Sequence, residues 1–285
     1  ADADVTATLV ASHALADIFW QEKDYRSLAD ALARIADVEP EDERRFAVLE
    51  QLAELADGTL GDTPRAIDAW QRLLGTPSRG KALEALERLY EAASDRVGLA
   101  RVLEERAADE TDPAASRAIA VRAAATLAEA GDPERALLAW LKIRERFGAA
   151  RDVGAALAAL FEAKKDWAKL AETLEGDTEL APIEERPAIF SRLGSLYALR
   201  LANPELAIAA YTRALELDPQ EKASREGLTK LLAHSNASLK LRAAVALEPN
   251  KEWVFRLAAL RDEKGEEDEA VRLWKSVLTE TSTGA

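Results

Sequence analysis

Residues 165–174 read Lys165-Asp166-Trp167-Ala168-Lys169-Leu170-Ala171-Glu172-Thr173-Leu174, and this stretch returns twice upstream. Its earlier forms are Ser94-Asp95-Arg96-Val97-Gly98-Leu99-Ala100 leading to Leu103, and Lys23-Asp24-Tyr25-Arg26-Ser27-Leu28-Ala29 leading to Leu32. The aspartates stand 71 residues apart. A second pattern interleaves with the first: Ala66-Ile67-Asp68-Ala69-Trp70, Ala136-Leu137-Leu138-Ala139-Trp140, Ala207-Ile208-Ala209-Ala210-Tyr211 and Ala270-Val271-Arg272-Leu273-Trp274. A third, Leu15/Ile18/Phe19, Leu86/Leu89/Tyr90 and Leu157/Leu160/Phe161, keeps the 71-residue step. Three patterns in register mark an internal repeat, the feature that must be sought before any other.

Each pattern has helical period, with apolar residues at i, i+3 and i+4. Helix breaks fall between them. Asp62-Thr63-Pro64, Gly131-Asp132-Pro133 and Ala202-Asn203-Pro204 put proline just inside a helix start, where its missing N–H costs nothing. Thr63, Asp132 and Asn203 are suitable N-caps. Leu217-Asp218-Pro219 and Leu247-Glu248-Pro249 mark helix ends, because the residue before proline avoids the α region. Each 71-residue unit therefore holds four short helices, or two hairpins. The composition agrees: Ala, Leu, Glu and Arg dominate, all strong helix formers.

Residues 187–219, PAIFSRLGSLYALRLANPELAIAAYTRALELDP, are the most regular hairpin. Leu193-Gly194 with Tyr197, then Ala207, Tyr211, Ala214 and Pro219, resemble the first- and second-helix signatures of the tetratricopeptide repeat family. The resemblance extends over the whole chain and implies an all-α fold, a right-handed α-solenoid of about eight antiparallel hairpins and about 16 helices. The hairpins are expected at about 4–38, 42–76, 79–109, 114–147, 150–178, 184–218, 220–247 and 250–282 of one array, 1–285. One hairpin cannot bury its apolar stripe alone, so stacking completes the core. Trp70, Trp140, Tyr211 and Trp274 are expected to fill the space between hairpins, with Gly194, Ala158, Ala258, Ala139 and Ala210 allowing close approach. The chain begins with Ala1, contains no methionine and opens in mid-unit. It is expected to be a segment of a longer protein, whose uncapped ends could meet a partner or a second copy.

Composition narrows the function. Of 285 residues, 48% are hydrophobic and 32% charged, enough for a large core. The formal charge of −14 opposes binding to nucleic acid and to anionic membranes. With no cysteine there is no disulfide, thiolate metal site or cysteine nucleophile. A cytoplasmic location is expected, or a periplasmic one if a signal segment was removed. No run approaches a membrane span.

No catalytic constellation emerges, and no cofactor or metal is expected. Gly75-Thr76-Pro77-Ser78-Arg79-Gly80-Lys81-Ala82 nearly spells a phosphate-binding loop, but Ala82 lacks the required hydroxyl and no strand precedes it. His13 and His234 lie in the first and seventh hairpins, too far apart to share a metal. Glu263–Glu269 lacks the ligand spacing of a calcium loop. Asn236-Ala237-Ser238 matches a glycosylation sequon.

The family resemblance implies a protein–protein interaction scaffold, not an enzyme, binding a partner peptide, helix or domain. The competing readings are a spacer arm in an assembly and a helical-repeat enzyme. In the family the first helix of each hairpin lines the binding face. Helical phase then gives His13, Asp17, Glu50, Glu54, Glu84 and Arg88 toward the start. Val121, Ala125, Ala155, Ala159, Ser191 and Ser195 follow in the middle, and Glu226 and Lys230 toward the end. His13, Asp17 and Trp20 form the one suggestive local cluster. A partner with basic or apolar surface would suit the acidic chain. The lysine, asparagine and arginine clamp by which many members hold a C-terminal carboxylate is not matched here.

Overall fold

In the computed structural model, residues 2–233, 236–247, 251–263 and 266–282 are described. Among them there are only helices and connecting turns, in the hairpin order of a helical-repeat solenoid. His234 lies outside the described residues. The chain divides into two compact units, Ala1–Ile143 and Arg144–Ala285.

In the first unit, α1 (Asp2–Glu22) packs on α2 (Tyr25–Val38), and α3 (Asp42–Glu54) on α4 (Thr63–Arg72). Next, α5 (Arg79–Ala92) packs on α6 (Arg96–Asp109), and α7 (Pro113–Glu129) leads into α8 (Pro133–Phe147). The last turn of α8 opens the second unit. There α9 (Arg151–Ala163) packs on α10 (Trp167–Leu180), α11 (Arg186–Leu199) on α12 (Pro204–Leu217), α13 (Lys222–Leu231) on α14 (Ala237–Leu247), and α15 (Lys251–Glu263) on α16 (Glu267–Ser282).

The repeated Asp motif explains the tight corners. Lys23, Ser94 and Lys165 end their helices at φ 59°, 58° and 58°, in the left-handed region. The next N–H, of Asp24, Asp95 and Asp166, bonds back to the carbonyls of Phe19, Tyr90 and Phe161. This is the 6→1 closure that satisfies a helix C-terminus. The same aspartates then cap the following helix, accepting from the N–H of Ser27, Gly98 and Lys169. One dipeptide thus ends a helix, turns the chain and starts the next.

In the alternate hairpins Asp132 and Asn203 cap as expected. The cap of α4 is Asp62, which accepts from Arg65 N–H, so Thr63 is already helical. Ahead of it α3 runs on into a π-turn, Leu55–Leu60, closed by Gly61 at φ 61°. The wider turn absorbs one extra residue without breaking the helix.

The core follows the repeat. Trp70, Trp140 and Tyr211 are buried, as are Ala158, Ala210, Ala258 and Gly194. Trp274 and Ala139 are only half-buried, which departs from the expectation. Leu86, Leu89 and Tyr90 are buried, and so are Leu157 and Phe161. Their counterparts on α1 are not: Leu15 is 40% and Ile18 47% exposed. The reason is packing: α5 lies against α4 as well as α6, while among the described residues α1 packs on α2 alone.

Candidate interaction groove

The first unit carries an open groove of about 540 Å³ between α1, α2, α3 and the π-turn. Its floor is apolar, with Leu28, Leu32 and Ile35 from α2 and Val48 from α3. Leu55 and Thr59 of the π-turn close one end. The α1 side brings His13, Ala16, Asp17 and Trp20, and α3 brings Gln51 and Glu54. Trp20 is 63% exposed and meets Tyr25 edge-on, with ring centroids 6.2 Å apart. An exposed indole held by a neighbouring ring offers apolar area at low entropic cost.

Ion pairs that occupy the counterpart of this groove are missing from it. Seventy-one residues downstream, Ala16, Trp20, Ile35 and Gln51 correspond to Glu87, Glu91, Arg106 and Arg122. There Arg106 and Arg122 both bind the Glu87 carboxylate, and Arg122 also binds Glu91. Burial alone would raise the Glu87 pKa, but the hydrogen bonds from Arg122 and Arg106 outweigh it and hold the carboxyl below its usual range. In the second unit Arg192 binds Glu162 at 2.6 Å, again joining successive first helices. A further 71 residues on, the same four places hold Ala158, Glu162, Asp177 and Leu193, so the full cluster belongs to α5, α6 and α7 and Glu162 takes its arginine from the neighbouring position 192.

The residues chosen by helical phase are distributed unevenly. His13, Asp17 and Glu54 are exposed and meet in the groove. Glu50 is half-buried; Lys81 and Ser78 engage it, and the Lys81 bond leads in holding its pKa low. Lys81 also reaches Glu54 at 2.5 Å. Arg88 is spent on Asp57 of the π-turn, while Glu84 is exposed. Val121 and Ala125 are half-buried; Ala155, Ala159, Glu226 and Lys230 are exposed. Ser191 is buried, with Glu221 as a hydrogen-bond partner. Ser195 lies 3.1 Å from the Tyr211 hydroxyl and serves the packing of α11 on α12. Lys81, in the sequence that nearly spells a phosphate loop, ties α5 to α3.

Helical phase alone missed the floor of the groove, because Leu28, Leu32 and Ile35 belong to a second helix. The available signal was Trp20 where the other two units have Glu91 and Glu162, and Gln51 where the next unit has Arg122. Among the described residues no helix is long and apolar enough to cross a membrane.

No family model matches the chain, and no curated protein matches it. Solved structures do. YrrB, described as a TPR protein with an unusual peptide-binding site, is 19% identical over 56% of this chain and 84% of its own, with a TM-score of 0.33. MamA from Desulfovibrio magneticus RS-1 is 18% identical over 79% of this chain and 98% of its own, TM-score 0.32. A tetratricopeptide repeat protein from Parabacteroides merdae is 13% identical over 96% and 93%, TM-score 0.31.

Proposed function

We propose that the chain is an interaction scaffold that holds a partner peptide or helix against the first helices of its hairpins, centred on the α1–α2–α3 groove. The carrying observation is that Trp20 stays exposed beside an open groove with an apolar floor, where the place 71 residues on holds the Glu87–Arg106–Arg122 cluster. Beyond its edge-on contact with Tyr25, the exposed part of Trp20 adds nothing to the array's own packing, since buried apolar area stabilises and exposed area does not. The acidic chain favours a partner with basic or apolar surface.

Photocrosslinking in the cell that makes the protein tests this. A photoreactive phenylalanine analogue at position 17, on the groove rim, is expected to give adducts of defined mass. The same analogue in place of the exposed Ala168 on α10 is expected to give none. Absence of adducts at both positions, with the protein folded, would favour a spacer arm.

The outer side of α1 supports a second reading, self-association. Val10, Leu15 and Ile18 are exposed at 66%, 40% and 47% where the matching Leu86 and Leu89 are buried. A second copy covering them would make sedimentation concentration-dependent, and Ile18→Lys would abolish the dependence.

A further inference from the structure

We infer that the α1–α2–α3 groove recognises a bulky apolar side chain flanked by lysine or arginine in an extended or helical peptide. The inference rests on the scaffold reading and goes further, naming what the groove takes. Three observations combine.

The floor first sets the size and polarity of the anchor. A volume of about 540 Å³ exceeds one large side chain; Leu32, Ile35 and Val48 lie buried beneath it, and Trp20 supplies the exposed apolar surface. Apolar pockets with few polar groups bind by burying an anchor, while those polar groups fix its orientation. Trp20 forms the wall on the α1 side, and aromatic walls carry a large share of interface energy.

The rim then sets the charge. Asp17 and Glu54 border the groove, and among the described residues lining it there is no lysine or arginine. Glu54 shares Lys81, leaving Asp17 as the exposed carboxylate with no ion pair among the described residues. The chain elsewhere pairs its acids between successive first helices, as in Glu87 and Glu91 with Arg122, and Glu162 with Arg192. At the groove the base of that pair is missing, because Gln51 stands where Arg122 stands 71 residues later. A partner cation would supply it.

The repeat finally shows how the groove would be shut. Ala16 and Ile35 occupy the places of Glu87 and Arg106. Restoring the charged pair should fill the space in the manner the chain already uses.

The test is selection of a random twelve-residue phage-displayed library on the full chain, followed by fluorescence anisotropy with the enriched peptides. The expected enrichment is Leu, Phe or Trp within four residues of Lys or Arg. Asp17→Lys and Trp20→Ala alter exposed side chains and should leave the fold intact; each is expected to weaken binding by about tenfold or more. The double change Ala16→Glu with Ile35→Arg should abolish binding, and circular dichroism checks that it folds. Acidic peptides, or peptides that bind Asp17→Lys and Trp20→Ala as well as the unaltered chain, would overturn the groove assignment while leaving a scaffold that binds elsewhere. No enrichment would also overturn it. If photocrosslinking fails as well, the scaffold reading falls with it.

Discussion

The Tyr211 ring lies flat against Gly194, so close that a Cβ built on the glycine would meet the ring carbons Cδ1 and Cε1 at 2.5 Å. The far edge of the same ring presses on Gly227 of α13, closer than any real Cβ contact allows. Tyr211 therefore joins three helices, α11, α12 and α13, and two glycines make the space. Glycine is otherwise a poor choice inside a helix.

Gly194→Ala is expected to destabilise the second unit. Overpacking costs about 1–3 kcal/mol, offset by about 1 kcal/mol of improved helix propensity. Gly176→Ala is the control: it sits in α10 with nothing within 4 Å of the added methyl, and is expected to stabilise by up to about 1 kcal/mol. Thermal melts of the two variants should move in opposite directions.

The glycine at 194 was readable in the sequence as a repeat signature, and so were the corner aspartates, because both are fixed by local rules of helix ending and close approach. The groove was legible only in part. His13, Asp17 and Trp20 share one helix face, and helical period exposes them. The floor comes from α2 and the absence of a closing ion pair from α3, and no periodicity within one helix reports either. The buried Ser191 was misplaced for the same reason: helical phase puts it beside Ser195 on one face, but Glu221, from the turn before α13, covers it. The exposure of Leu15 and Ile18 depends on which neighbours are packed against α1, which the motif itself does not encode.

The Glu87 cluster predicts an acid dependence. Glu87 has a folded pKa below its usual value, so the cluster's contribution is fully present above the unfolded pKa and disappears as pH falls through the folded one. Glu87→Gln is expected to cost about 1–2 kcal/mol at neutral pH, discounted because Arg106 and Arg122 are partly exposed. Melting curves between about pH 3 and 7 should converge for the two proteins at the acidic end. A constant gap would mean that Glu87 acts through packing alone.

Tyr197 predicts an alkaline one. Burial, and then the hydrogen bond it donates to Glu175 at 2.5 Å, push its pKa up to about 12. An unfolded tyrosine ionises near pH 10, so stability is lost as pH rises from about 10 toward the folded value. Tyr197→Phe should remove that loss and cost about 1–2 kcal/mol at neutral pH through the missing hydrogen bond. Ultraviolet titration of the native protein should show Tyr197 and Tyr211 ionising late, and the variant one late phenol fewer.

Asp177 works in the opposite sense from Glu87. It projects from α10 onto Gly154 of α9, where a Cβ would collide with its carboxylate. Burial raises its pKa, and Arg151 and Arg192 offset this only in part. Both arginines are engaged elsewhere, Arg151 with Glu185 and Arg192 with Glu162. A carboxyl with a raised folded pKa penalises folding in full above that folded value, and the penalty fades as pH falls through it and is gone below the unfolded pKa. Asp177→Asn keeps the shape and removes the charge, so it is expected to stabilise the second unit at neutral pH by less than about 1 kcal/mol. The gain should shrink as pH falls through the raised folded pKa and be close to zero below about pH 4. Gly154→Ala is expected to destabilise both proteins, since the clash is with the side chain's volume and not its charge. If Asp177→Asn destabilised at neutral pH, the two arginines would have to be holding the carboxylate as a net favourable partner, and the burial of Asp177 would no longer be the dominant effect.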